Sequence, residues 1–152
     1  MQYNLLALTG FKLTIGASNE FKLSEFFAVS ASFPSISLSE VDTPYRNRQG
    51  FVPDDVLKYE PLIIRIAVDD QLLAYNEIHD WMIYNTLEQN LKTHDLILHF
   101  MTGHNNISRQ VRFTSAFPTS CSGIDFNVQN TEVEYAYVDV TFRYDRFEFM
   151  DI

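Results

Sequence analysis

Apolar and polar positions alternate along several stretches of this chain. The clearest runs through Val56 to Val68, where Leu62, Ile64, Ile66 and Val68 share one side and Ile63, Arg65, Ala67 and Asp69 the other. That period of two predicts a strand with one apolar face. Ile36 to Val41 alternates less cleanly, with Ile36, Leu38 and Glu40 against Ser37, Ser39 and Val41. Leu96, Leu98 and Phe100 mark a short strand, and Gly103-His104-Asn105-Asn106 reads as the turn after it. Ile107, Val111, Phe113 and Phe117 then alternate with Ser108, Gln110, Arg112 and Thr114; the register breaks at Arg109 and the strand is expected to end at Pro118. Glu132 to Phe149 forms one last run, with Ala136, Val138, Val140, Phe142 and Tyr144 opposite Tyr137, Asp139, Thr141, Arg143 and Asp145. It is too long for one straight strand, so a bend or bulge is expected in it.

The period changes once. Asp69 or Asp70 supplies an N-cap for a helix running to about Asn90. Tyr75, Ile78, Trp81 and Met82 form its packing side, while Asn76, Glu77, Asp80 and Asn85 lie largely opposite. Phe21 to Phe33 carries Phe26, Phe27 and Val29 among small residues and stops at Pro34, which reads as a strand break or an edge position. The polar stretch Asp42 to Asp55, with Pro44, Gly50 and Pro53, reads as a loop too long for a tight turn, and such loops usually have a job. Strands, one helix and more strands predict a mainly β protein. The expected architecture is an antiparallel β-sandwich or barrel with one flanking α-helix. With no internal repeat, low-complexity tract or Gly/Ser linker, residues 1–152 read as a single domain.

Charge narrows the function classes. Lys plus Arg total 11 against 20 for Asp plus Glu, a formal net charge of −9. A duplex-binding protein carries a basic footprint, so that class is disfavoured. Cys121 stands alone, which excludes an intrachain disulfide and argues against a Cys-based zinc site. No apolar run approaches the roughly 20 residues of a membrane span, and no basic leader precedes one, so no membrane association is expected.

Catalytic constellations are weak. His94, His99 and His104 are spaced by five, which on a strand puts neighbours on opposite faces, so no metal site is expected there. Ser120-Cys121-Ser122-Gly123 is not a nucleophile elbow and reads as a turn. Cys121 has no basic neighbour in sequence to activate it, and no glycine-rich phosphate loop is present. Asp54-Asp55 and Asp69-Asp70 stand where loops and helix caps expect acids. Neither an enzyme nor a cofactor is expected. Asp139 and Asp145 flank Arg143 on the non-core side of the last strand: either a solvated face, or one that meets something negative without holding it.

Residues 57–70 (LKYEPLIIRIAVDD), followed by Tyr75-Asn76-Glu77-Ile78-His79-Asp80-Trp81-Met82, resemble the strand, acidic cap and Y-x-x-[IM]-x-x-W helix of tail tube proteins from contractile-tailed bacteriophages. Upstream, Phe33-Pro34-Ser35-Ile36-Ser37-Leu38 is similar to that family's strand entry, followed by the long stretch through Tyr45-Arg46-Asn47. Downstream, Phe113 to Ser120 resembles its F-x-G-x-x-P segment, with Ala116 in place of the usual Gly. Glu132 to Tyr144 is similar to its closing strand. The resemblance covers roughly residues 11–149.

It implies a structural subunit, related in fold to the type VI secretion tube protein, whose copies form hexameric rings. Those rings stack into a tube that conducts DNA during ejection, with tail sheath outside and baseplate and neck proteins at the ends. Residues 42–55 would be the arm that stacks one ring on the next, through Tyr45, Arg46, Arg48, Phe51 and Val52. Asp139 and Asp145, with Asp69 behind them, are the candidate lumen acids that repel phosphates over about 8–10 Å at physiological salt. DNA would pass without specific binding. The protein would be assembled in the host bacterial cytoplasm and reside in the virion tail. The absence of a long extension favours the repeating tube subunit, against a baseplate tube initiator or tube adaptor ring of the same fold. A more distant alternative is a soluble β-sandwich binding module using Tyr45, Tyr135 or Tyr137.

Overall fold

The computed structural model describes residues 5–16, 19–45, 48–87, 91–102, 104, 106–129 and 132–150. Nine strands and two helices follow in chain order among them. These are β1 (Phe11–Ile15), α1 (Lys22–Phe26) behind a 3-10 turn at Asn19–Phe21, β2 (Ala28–Ser32), β3 (Ile36–Tyr45), β4 (Arg48–Tyr59), β5 (Leu62–Ala67), α2 (Leu73–Leu87), β6 (His94–Met101), β7 (Ile107–Cys121), β8 (Tyr137–Arg143) and β9 (Phe147–Met150). The architecture is mainly antiparallel β with one main helix, its sheets packed as a sandwich.

Two layers share β7. The order is β1-β6-β7-β8-β5-β2, all antiparallel, with β9 added beside the first half of β7. The strand bends at Ser115, whose φ of 52° is the left-handed region that a non-glycine residue rarely adopts. Asp95 Oδ1 accepts the Ser115 N–H at 3.1 Å, and the Thr114 carbonyl accepts from Asp145 N at 3.0 Å, so the kink is tied down from two sides. Beyond it, β7 leaves the first layer and pairs with β8. Inward residues are Val111 and Phe113 before the kink, Ala116 after it. One extra residue at the bend has exchanged the faces.

That explains two departures from expectation. The strand does not end at Pro118, which lies within β7 opposite Phe142, and Ser120 and Cys121 are still strand rather than turn. The long closing run does break where a bend was expected: β8 stops at Arg143 and β9 starts at Phe147. Residues 132–136 precede β8 without joining a strand.

Leu62, Ile64 and Ile66 of β5 and Val138, Val140 and Phe142 of β8 face Leu13 and Ile15 of β1, Leu96 and Leu98 of β6, and Val111 and Phe113 of β7 across one core. Ala74, Ile78 and Trp81 bring α2 onto it. The described part of the helix is Leu73–Leu87, and residues 88–90 of the expected span lie outside those described. Asp69 is its cap: Oδ1 accepts from Leu73 N at 2.8 Å and from Ala74 N at 3.3 Å.

Candidate functional site: an assembly surface

The stretch expected to be a loop is an antiparallel hairpin. β3 and β4 pair from Ile36↔Tyr59 through Val41↔Val52 and Asp42↔Phe51 to Tyr45↔Arg48, with a register shift between Leu38 and Glu40. They form a two-stranded sheet separate from the sandwich. At about 3.3 Å per residue, the ten residues of β3 make a ribbon about 30 Å long. Its root is fixed by aromatic packing: the Tyr59 ring lies 5.2 Å from Phe147 and 6.0 Å from Tyr144. Tyr144 Oη donates to the Glu60 carbonyl at 2.7 Å, and Glu60 N donates to Ser35 O at 3.1 Å.

The ribbon exposes Ile36, Leu38, Val41, Phe51, Val52, Val56 and Leu57. A two-stranded ribbon is marginal in water, and apolar side chains spread over it mark a contact surface. Of the five residues expected to stack rings, Phe51 and Val52 are exposed on β4. The backbones of Tyr45 and Arg48 close the ladder, and Arg46 lies outside the described residues.

The candidate lumen acids are not brought together. Asp139 on β8 is opposite Arg65 on β5, and its oxygens accept from Nε at 3.0 Å and from an Nη at 3.4 Å. The carboxylate beside it raises the Arg65 pKa. Much of the Asp139 charge is thereby compensated locally. Asp69 is committed to the α2 cap, and Asp145 sits exposed on the bend after β8 rather than on the strand. Ile78 and Trp81 are buried, Tyr75 and Met82 half-buried against the same core.

His94 and His99 do face opposite ways. His94 packs edge-on against Trp81 and Phe21 with ring centroids 5.2 and 5.3 Å away, while His99 meets the Thr14 hydroxyl at 3.1 Å. Burial lowers both pKa values below the usual imidazole range. Burial also pushes the Cys121 thiol up. Among the described residues, no three His, Cys, Asp or Glu side chains gather as metal ligands. No described helix is long and apolar enough to cross a membrane.

Apolar exposure is not confined to the hairpin. Besides the hairpin, Leu5, Leu6 and Leu8 lie open, as do Phe126, Val128, Val133 and Tyr135 in the segment between β7 and β8. Sequence reasoning missed that segment as a separate surface, because its alternation merges with β8.

The whole described chain superposes on proteins of contractile injection machines. The anti-feeding prophage tube-terminating cap matches with a TM-score of 0.74 and 17% identity over 100% of this chain and 94% of that one. The sheath/tube terminator of an extracellular contractile injection system in its extended state matches at 0.73 and 17% identity, over 99% of both chains. The chain has a tail-tube-like fold. Hcp1 from Flavobacterium johnsoniae superposes at 0.56 with 15% identity, over 92% of this chain and 94% of that one. In sequence, the tail tube terminator protein of Enterobacteria phage T4 is 29% identical over 84 residues, which are 53% of this chain and 48% of that protein. The match therefore spans about half the length of that relative. No family model matches the chain.

Proposed function

We propose that this tail-tube-like chain is a structural subunit that closes a tube of a contractile phage-like system, in the position of a tube terminator. The observation that carries the reading is the coincidence of two independent likenesses. The partial sequence match is to a tail tube terminator, and chains from a tube-terminating cap and from a sheath/tube terminator superpose over almost the full length of both chains. The subunit acts by assembling into a ring, not by catalysis. Its exposed sheet edges and apolar hairpin fit that role, since unpaired edges and open apolar patches are normally removed by assembly.

In this reading the β3–β4 hairpin, with Phe51 and Val52, reaches a neighbouring ring, and Tyr45, Arg46 and Arg48 contribute to that contact. The ring is a hexamer in contact with the sheath, located in the particle's tail and assembled in the bacterial cytoplasm. DNA passes through its channel without being gripped. Asp145, unpaired among the described residues, is the main lumen candidate, and Asp139 and Asp69 are secondary because Arg65 and the α2 cap already engage them.

A second reading, the repeating tube subunit, is favoured by one likeness. A sheath–tube complex of an extracellular contractile injection system contains a chain that superposes at a TM-score of 0.73 with 16% identity, over 97% of this chain and 93% of that one. Copy number separates the two. Quantitative mass spectrometry of purified particles should find this chain at one or two rings per particle, and particles lacking it should have tubes of uneven length. A copy number that scales with tail length would establish the repeating subunit instead.

A further inference from the structure

β1 is a free edge with a groove beside it. Gly16 N donates to Asp95 O at 2.9 Å and Met101 N to Gly10 O at 3.1 Å, so even-numbered backbone groups here face β6. Odd-numbered ones therefore point away. Ile15 N is taken by Glu25 Oε1 at 2.7 Å. The N–H and C=O groups of Phe11 and Leu13 point outward on the same side, with no strand against them among the described residues. Against this edge lies a groove of about 430 Å³ lined by Leu13, Leu23 and Phe26, with Lys12, Lys22 and Glu25 around it. Phe26 is 78% exposed. Neither Lys12 nor Lys22 makes an ion pair among the described residues.

Elsewhere in the same chain is a strand pattern without a strand. Glu132-Val133-Glu134-Tyr135 alternates acid and apolar with period two, yet it precedes β8 unpaired. Val133 is 85% exposed and Tyr135 80%. Its two acids also make no ion pair among the described residues.

We propose that residues 132–135 of one copy add as a strand to the β1 edge of a second copy. Val133 and Tyr135 enter the groove against Leu23 and Phe26, and Glu132 and Glu134 lie on the side of Lys12, with Lys22 at the groove's rim. Main-chain hydrogen bonds supply affinity and the alternate side chains supply register, as in other strand additions. The two signs of charge fix which edge is chosen. Since the donor segment and the acceptor edge are different surfaces, the contact is head-to-tail and propagates around a ring. The proposal rests on the ring assembly proposed above.

The test is a charge exchange on the intact protein, read by light scattering after size exclusion and by negative-stain microscopy. Lys12→Glu with Lys22→Glu should raise the concentration needed for assembly about tenfold or more. Adding Glu132→Lys and Glu134→Lys should restore it. All four side chains lie at the surface, and circular dichroism checks the fold of each variant. In a Cys121→Ser background, Lys12→Cys with Glu134→Cys should give oxidised ladders of dimer and higher species. A wild type that assembles, with charge variants that assemble equally well and no ladder, overturns this contact while leaving ring assembly standing. A wild type that stays monomeric at every concentration overturns both.

Discussion

Trp81 offers the sharpest test of how α2 is held to the sandwich. It is 2% exposed, packs on Phe21 at 4.6 Å and Phe142 at 6.0 Å between ring centroids, and donates Nε1–H to the Lys92 carbonyl at 2.8 Å. Trp81→Ala removes the buried ring and leaves that carbonyl without its partner. Core Trp-to-Ala changes cost about 3–5 kcal/mol. For a chain of this size each kcal/mol moves the midpoint by about 2–4 °C, so Tm should fall by roughly 6–20 °C. Trp81→Phe keeps much of the apolar contact but not the donor, and should cost less. Tyr75→Ala and Met82→Ala, at half-buried positions, should each cost about 1–2 kcal/mol. Urea denaturation followed by circular dichroism, on protein dilute enough to be monomeric, measures all four. If Trp81→Ala loses no more than Met82→Ala, the Trp81 contacts do not anchor the helix and the packing account is wrong.

Tyr144 has its pKa pushed up to about 12, mainly by burial. The unfolded chain then ionises first, so stability should fall as pH rises from about 10 toward 12, and Tyr144→Phe should flatten that fall in an alkaline denaturation series. The same variant loses the bond to the Glu60 carbonyl, costing about 1 kcal/mol at neutral pH. His94 and His99, both lowered by burial, give the opposite slope. The unfolded chain binds protons first as pH drops below 6.5, so stability should decline there, and His94→Gln should remove part of the decline in urea midpoints measured across that range. At Ser115, Gly should be tolerated within about 0.5 kcal/mol, whereas Val should cost about 1–3 kcal/mol because a β-branched residue resists positive φ. Equal midpoints for the two variants would remove the kink from the account of β7.

Legibility in the sequence followed burial. β5, β6, the first half of β7, and β8 each put one face into the core, so their alternation carried the register. Only the outer part of the hairpin, residues 42–55, was mistaken for a loop, because its described side chains are not buried by the sandwich. Apolar residues therefore stand adjacent, as at Phe51-Val52, and the stretch looks irregular. Phe11, Leu13 and Ile15 do alternate, yet five residues beside an apolar N-terminal segment gave too short a signal to assign β1. The face exchange at Ser115 defeated the reading of β7, since no glycine or proline marks it. The acids were legible in part: Asp69 was expected as a cap of α2 and is one, whereas only the fold shows that Arg65 holds Asp139. The acid surplus counted in the composition lies largely off the β5–β8 ion pair, with Asp125, Glu132 and Glu134 in the segment before β8 and Glu40 and Asp42 on the hairpin.

Negative-stain microscopy of the purified full chain, over a range of concentrations, bears most directly on whether this fold closes a tube. Closed rings of uniform diameter, single or in short stacks, are the predicted result. Monomers at every concentration would contradict the account, and long regular tubes from this chain alone would replace the terminator with the repeating subunit.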